Sequence, residues 1–522
     1  MRTTRRVSGP NAQFELFGKA PEAVAARPVK SAVESGRRFV DGNRDALFVG
    51  TVHLEQYLRD LKEHTALKVS SLLDEQDWRM FESRYAASGR APYAPRAIMG
   101  LILYGVMKGV HSLRELERLA RLDLGCMWVS GGIMPDHANI GRFIVMHEES
   151  LAQDFFESLT RMVLRVCGSD SARVAGDGTV IEAACSHYRL LKEEAVKAHA
   201  QALRERVARE PDDGKAQSLA AQAEQCEVLF AQRKAARIKH GKDTGSLCLS
   251  ASEPEAVMHR LKRGRGFAPA YKPSVLANEE QIITALAVDQ SSETAVVAQM
   301  LDQTARVIGS QPDEALFDTG YFHDEIIEAT LARDISLLCP APPSEQGKVG
   351  GKFHKSQFDY DPDSDTYGCP AGQVLHRMAH TAASAATREN VVYSCPSCSG
   401  CELRQHCTTA LARRIRRYPQ DTQREALRQV MQQPGAQCVF RQRKAMVEPV
   451  FARLRGQQRL SRFSRRGLAA VRREFALHAL AYNLGRAVAL LQTIYGLLLA
   501  WSLLIRRAQS ARYTFGRTNY SE

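Results

Sequence analysis

The chain has 522 residues, which excludes a single ordinary hydrophobic core and sets an expectation of two or three folded units. Its 44% hydrophobic content is ordinary for a soluble chain that folds by burying apolar surface. Lys plus Arg number 71 against 58 Asp plus Glu, and a net charge of +13 suits a polyanionic partner, nucleic acid first and an anionic membrane surface second.

Residues 1–50 mix Gly, Pro, Arg and Ala without periodicity and read as a mobile basic arm. The opening MRTTRR is followed by no apolar run, so no secretory signal is expected there, and the twelve cysteines are expected as reduced thiols or metal ligands.

Residues 51–166 read as an all-α domain. Pro95 opens a helix whose Ile98, Leu101, Ile102 and Val106 recur at helical spacing. Ser112 with Glu115 forms the pattern of a capping box, opening a helix through Leu113, Leu116 and Leu119. Pro135 and Asp136 then start a helix from His137 to about Val166, with Ile140, Phe143 and Ile144 on one face. Short helices joined by tight turns are the build of a helix-turn-helix DNA-binding domain, although a plain helical bundle shows the same pattern. His137, Asn139 and Arg142 have the chemistry to read base edges or grip phosphates. The alternative is that Asp136 caps the helix and His137 is merely exposed.

At Arg173 the texture changes. RVAGDGTVIEA (173–183) reads as a strand, a polar turn and a second extended run. Residues 188–245 are rich in Ala, Glu, Lys, Arg and Gln and broken at EPDDG (210–214), a helical hairpin standing out from a sheet with a solvated charged face. Strand-like segments return at 281–289, 315–318 and 335–339, so the fold class is α/β. The core is expected over 170–345 and 435–507, separated by a cysteine-rich insertion at 346–430 and followed by a tail at 508–522. The apolar run 489–505 is at the short limit for a membrane span and is interrupted by Gln492, Thr493 and Ser502; it reads as a buried helix of a large core.

Three carboxylates stand where strands or helices change direction. Asp177 ends a strand in AGDGT, Asp318 ends another in LFDTGYF, and Glu448 lies early in a helix in KAMVEPVFARLR. Three such groups can hold two hard divalent ions, Mg²⁺ or Mn²⁺. Arg443 and Lys444, about one helical turn before Glu448, suit DNA phosphates or a solvated face equally. Cys395, Cys398, Cys401 and Cys407 read C-x2-C-x2-C-x5-C, a spacing that can fold back on one Zn²⁺. Cys369, His376 and His406 are further options, and a reduced cluster without metal is the alternative.

DGTVIEA (177–183), DTGY (318–321) and VEPVFARLR (447–455), in that order, resemble the DDE transposases of bacterial insertion sequences, most closely the insertion sequence 1182 group, a relative of the fourth and fifth groups. EPEAVMHR (253–260), AYKPSVLA (270–277), CPAG (369–372) and RGLAAVRREFALHALAYNLGR (466–486) carry the resemblance between and beyond them. GRAPYAPRAIMGLILYG (89–105), SLRELERLARLDL (112–124) and MPDHANIGRF (134–143) resemble the family's DNA-binding domain. The resemblance implies an RNase H-like core with Asp177, Asp318 and Glu448 as its triad. It implies a protein that binds the terminal inverted repeats of its element as a homodimer or higher multimer. Such a protein cuts double-stranded DNA and joins it to target DNA in the bacterial cytoplasm, on the nucleoid and away from membranes. Two positions depart from the family pattern: Arg455 stands where Lys is usual, still suited to a DNA contact, and Phe440 where Tyr is usual. Rival readings are an RNase H-like nuclease without strand transfer and a catalytically inactive, domesticated DNA-binding protein.

Overall fold

The structure, a computed structural model, describes residues 38–517 except 87, 262–265, 347, 350, 351, 385, 386 and 397. Residues 38–50 belong to the folded body, so the arm expected over 1–50 is not one in this part. Val40 N–H donates to the Pro92 carbonyl at 2.7 Å and Ala94 N–H to the Val40 carbonyl at 2.9 Å. Gly42 lies so close to Gly131 that an added Cβ would stand 2.5 Å from the Gly131 Cα. Residues 1–37 lie outside the described residues.

Helix α1 (Pro95–Met107) begins with proline in its first turn, where the missing N–H has no helical partner to lose, and is buried on nearly every side. Helix α2 (Leu113–Leu122) forms where expected, but the Ser112 side chain makes no cap hydrogen bond, so the capping box does not form. Helix α3 (His137–Met146) is capped by Asp136, whose carboxylate accepts the Asn139 N–H at 2.6 Å. The single helix expected to reach Val166 is broken twice, into α3, a short turn (Glu148–Ala152) and α4 (Asp154–Cys167). The breaks let one segment fill the core from several directions: His147, Leu151, Phe155 and Phe156 are all fully buried.

The sheet contains β1 (Arg173–Gly178), β2 (Ile181–Glu182), β3 (Val257–Arg260), β4 (Phe267–Asn278), β5 (Ile283–Asp289), β6 (Glu314–Leu316) and β7 (Ser336–Leu338). Between β2 and β3 stands the expected hairpin, α5 (Glu193–Arg209) and α6 (Gly214–Lys239). Strand β6 runs parallel to both β7 and β1, while β4 pairs antiparallel with β1 and β5. The main order is therefore β5-β4-β1-β6-β7, and the first half of β4 also pairs with β2 and β3. Strand β4 is the longest and lies between partners, yet it contains Pro269 and Pro273, which normally argue against an interior strand. Their carbonyls remain in use, accepting from Ala183 N–H and Thr179 N–H at 2.9 Å each.

Side chains alternate across the sheet with period two. Val174, Leu276, Ala285, Ala287, Ala315 and Phe317 face α7 (Val297–Ile308) and α8 (Asp324–Leu331). Ala175, Val275, Ala277, Leu286, Val288 and Leu316 face the other way, into a core shared with α1, α4, α10 (Arg443–Gly456) and the start of α11 (Leu468–Arg517). The N-terminal helices and the sheet thus share one core. Asn483 of α11 fastens the seam: its side chain accepts from Ile283 N–H at 2.9 Å and donates to the Ile283 carbonyl at 2.9 Å and to Thr160 Oγ1 at 3.1 Å.

Helix α11 is buried through Val488, and Leu490 and Leu491 of the run 489–505 still pack against the core, whereas Gln492, Thr493 and Ile494 are exposed. Its side chains from 495 onward lie outside the described residues. Among the described residues no helix is long and apolar enough to cross a membrane. The backbone of α11 continues to Arg517, which makes the described part of the 508–522 tail helical.

The fully buried His147 and His478 give the fold a pH dependence. Burial, reinforced by Arg84, pushes His147 down to about 4; burial, reinforced by His111 and Arg465, pushes His478 down to about 3. The stabilisation from keeping both rings neutral is complete above the ordinary value of 6.5 and is lost as pH falls toward these lowered values. At pH 5 each ring should cost about 2 kcal/mol relative to pH 8. Chemical denaturation across that range should show a steep acid-side loss, and a flat profile would contradict the burial of these rings.

Candidate active site

Strand register creates the site. Glu314, Ala315 and Leu316 of β6 lie beside Arg173, Val174 and Ala175 of β1, in parallel. Extending that register by two residues sets Asp318 beside Asp177, on neighbouring strand ends roughly 5 Å apart. Gly176 is needed between them, because any Cβ there would collide with the Phe317 ring. Each carboxylate is oriented by a backbone N–H: Asp177 Oδ1 accepts from Gly178 and Asp318 Oδ1 from Gly320, both at 2.8 Å. The Asp318 bond closes a tight turn, Thr319–Tyr321, which takes the chain off the strand at Gly320 as its sequence suggested.

Arg443, the first residue of α10, lies between the two carboxylates. Its Nη2 stands 3.5 Å from Asp177 Oδ1 and 3.5 Å from Asp318 Oδ2, and donates to the Gly176 carbonyl at 3.2 Å. Arg443 is only 5% exposed, so it belongs to the site rather than to a solvated helix face; Lys444 beside it is exposed. Burial holds the Asp177 carboxyl above the ordinary range, with the Arg443 cation and the Gly178 N–H opposing and the charges of Asp318 and Glu293 adding.

Glu293 is the site residue that sequence reasoning missed. A Cβ at Gly178 would stand 2.5 Å from its Cγ, and Lys272 Nζ pairs with its Oε1 at 3.3 Å. It lies in a loop after β5, where no local pattern marks it. Only the register of β4 and β5, which sets Lys272 opposite Asp289, brings it near Asp177.

Glu448 is exposed on α10, and α10 is fixed against the end of β1 at two points. Arg443 grips Gly176 and both aspartates; Arg455 donates to Thr179 Oγ1 and, at 2.8 Å, to the Val180 carbonyl. Residues seven apart share a helix face, so Glu448 lies on the side from which Arg455 reaches the turn after Asp177, about 10 Å along the axis. Pro449 cannot supply the helical N–H for the Ala445 carbonyl, and Gln281 Nε2 donates to it instead at 3.0 Å. That replacement lets a proline follow Glu448 inside the helix.

Of the residues expected to meet DNA, Arg443, Lys444 and Arg455 stand on α10 at this cluster, and His137, Asn139 and Arg142 stand on α3. His137 Nδ1 contacts Glu117 Oε2 at 2.8 Å, and the same oxygen accepts the His137 N–H at 3.0 Å. Arg142 donates to Asn139 Oδ1 at 2.7 Å on an exposed surface. Among the described residues no three His, Cys, Asp or Glu side chains already stand as an ion-holding group.

Two family models match the chain. One, described as a transposase DDE domain, covers residues 368–488, and the other, a transposase domain (DUF772), covers residues 53–145. The first includes Glu448, Arg443 and the cysteines from Cys369 to Cys407; neither includes Asp177 or Asp318. No curated protein and no solved structure matches. Both family descriptions name a transposase.

Proposed function

We propose that this transposase cuts DNA and joins the freed 3′ end to new DNA through Asp177, Asp318 and Glu448, on an RNase H-like core. The observation that carries the reading is the placement of Asp177 and Asp318 side by side at the ends of adjacent parallel strands, gathered around one cation. The sheet supports the fold assignment. Its β1, β4 and β5 form an antiparallel meander, and β6 and β7 extend parallel to β1 on the opposite side.

The donor set fits Mg²⁺ or Mn²⁺: hard carboxylate oxygens, preoriented by backbone N–H groups, in a place that already attracts positive charge. When bound, such an ion supplies charge that stabilises negative charge developing on the phosphate. Asp177 and Asp318 would hold it, with Glu448 reaching from α10. Arg455 positions the turn that follows Asp177, and Arg443 offsets the repulsion of the two aspartates in the metal-free protein.

The exposed Arg142, with the partly buried His137 and Asn139, would meet the terminal inverted repeats, and Lys444 would meet phosphate beside the site. Arg455 is turned toward Thr179 and Val180, so positioning is its better-supported role. The protein would act as a homodimer or higher multimer on double-stranded DNA in the bacterial cytoplasm. Within such transposases, its motifs fit the insertion sequence 1182 group.

The test is a strand-transfer assay with the full chain, terminal-repeat DNA and a supercoiled plasmid target. Joining of the labelled 3′ end to the plasmid in Mg²⁺ or Mn²⁺ is the expected result. Cutting without joining would favour the nuclease, and binding without cutting would favour the inactive DNA-binding protein.

A further inference from the structure

The insertion folds around a sheet of its own: β8 (Asp359–Asp361), β9 (Thr366–Gly368), β10 (Val374–Thr381), β11 (Asn390–Ser394) and β12 (Arg414–Arg417), antiparallel throughout. Its buried cluster is small, centred on Phe358, Tyr367, Leu375, Tyr393 and Ile415. A unit with so little apolar core generally needs a staple. The five cysteines of this region, Cys369, Cys395, Cys398, Cys401 and Cys407, all line one cavity of about 20 Å³ at the edge of that cluster. Bound metal is the staple that such a gathering of thiols would accept.

We infer that Cys369, Cys398, Cys401 and Cys407 form a four-thiolate zinc site, with Cys369 taking the place that spacing alone assigns to Cys395. The inference is independent of the reading of Asp177, Asp318 and Glu448.

Two chain turns bring backbone donors to sulfur. After β9, Gly372 adopts a φ of 75° and its N–H donates to the Cys369 carbonyl at 2.9 Å. This left-handed turn aims the Gln373 N–H at Cys369 Sγ, 3.3 Å away. On the other side, the Arg413 N–H points at Cys398 Sγ at 3.4 Å, and Cys401 N–H turns back to the Cys398 carbonyl at 3.4 Å. N–H groups aimed at sulfur favour thiolate, the form that binds metal. Cys407 ends a short helix (Arg404–Cys407) and lines the same cavity as Cys369, Cys398 and Cys401.

The surroundings suit the charge. Four thiolates around Zn²⁺ leave a net charge of about −2, and the Arg413 guanidinium stands at the cavity. It is held by the carbonyls of Cys407 at 3.1 Å and Phe353 at 3.0 Å. Cys395 is more deeply buried than Cys398, at 2% exposed against 9%: it follows β11 directly, and its N–H pairs with the Arg413 carbonyl at 3.2 Å. It is placed to pack. Zinc would close the sulfurs onto one point and fix the CPAG turn to the CPSCSGC loop.

The experiment measures zinc in the full-length protein purified without chelators, together with the charge-transfer absorption of the Co²⁺-substituted form. The wild-type chain should carry about one zinc, and its Co²⁺ form should show tetrahedral thiolate spectra. Cys369→Ser should lose zinc or weaken its binding at least tenfold against a competing chelator. Cys395→Ala should retain one zinc per chain; alanine is used because a serine hydroxyl would be buried there without need. Circular dichroism of each variant establishes that loss of metal is not loss of the whole fold. A wild-type protein without zinc overturns the site. Zinc loss from Cys395→Ala overturns the choice of ligands, as does full zinc retention in Cys369→Ser.

Discussion

Asp177→Asn, Asp318→Asn and Glu448→Gln should each lower strand cleavage by about a hundredfold or more while leaving the fold and DNA binding in place. Each change removes one charged oxygen ligand and nearly preserves side-chain volume. The fold should survive because these carboxylates contribute little to stability in the metal-free protein. Burial already holds Asp177 above the ordinary carboxyl range, and neighbouring Asp318 and Glu293 add to that effect. Neutralising Asp177 relieves repulsion, and Arg443 keeps Asp318 as a partner at 3.5 Å. Asp313 and Glu325 are exposed and serve as controls whose replacement should leave cleavage near normal. Asp324 does not serve, because it pairs with Arg424 at 2.7 Å and Arg388 at 3.1 Å and so fastens the insertion to α8. Cleavage by gel assay, thermal unfolding and DNA binding of each variant separate the outcomes. Near-normal cleavage in any one variant removes that residue from the site.

Arg443→Met should have the second largest effect, and in the opposite sense for stability. The guanidinium is the positive charge between Asp177, 24% exposed, and Asp318, 47% exposed, and it also satisfies the Gly176 carbonyl. Removing it leaves two like charges facing each other and a backbone oxygen without its donor. Because both carboxylates keep some contact with water, the loss should be on the order of 2 kcal/mol, below that of a fully buried pair. Mg²⁺ or Mn²⁺ should restore much of it by replacing the lost positive charge, whereas it should change the stability of Asp177→Asn far less. Lys444→Met should leave unfolding unchanged in either condition, as its side chain is exposed. Denaturation with and without the ion checks the pattern, and an Arg443→Met protein as stable as wild type without metal would contradict it.

Much of this arrangement was legible in the sequence, for reasons visible in particular residues. Asp177 and Asp318 each sit where an apolar run meets a polar turn with glycine, which is how a strand end looks in one dimension. The hairpin of α5 and α6 announced itself by composition and by EPDDG between its arms. Strand β4 was hidden because Pro269 and Pro273 argue against an interior strand, and only the pairing of their carbonyls explains their presence. Glu293 and the role of Arg443 were out of reach for a different reason. Both depend on contacts between segments more than a hundred residues apart, set by sheet register and helix packing rather than by any local pattern. The capping box at Ser112 failed in the other direction, a local pattern that the folded chain does not use.

The all-α domain expected over 51–166 packs into the same core as the sheet. Its helices share a core with α11, which also carries Asn483 to the edge of β5. Binding measurements therefore call for the whole chain, in which Asn139 and the exposed Arg142 are held as they are in the protein. Steep weakening of binding with salt is expected wherever phosphates are gripped.

Anomalous diffraction from crystals grown with Mn²⁺ and cleaved-end DNA would show whether Asp177 and Asp318 hold a divalent ion with Glu448 in reach. Mn²⁺ peaks are expected at coordination distance from oxygens of Asp177 and Asp318, with Glu448 coordinating at the same centre and Arg443 displaced from between the aspartates. Manganese bound elsewhere, with Arg443 still bridging the two aspartates beside the DNA end, would contradict it.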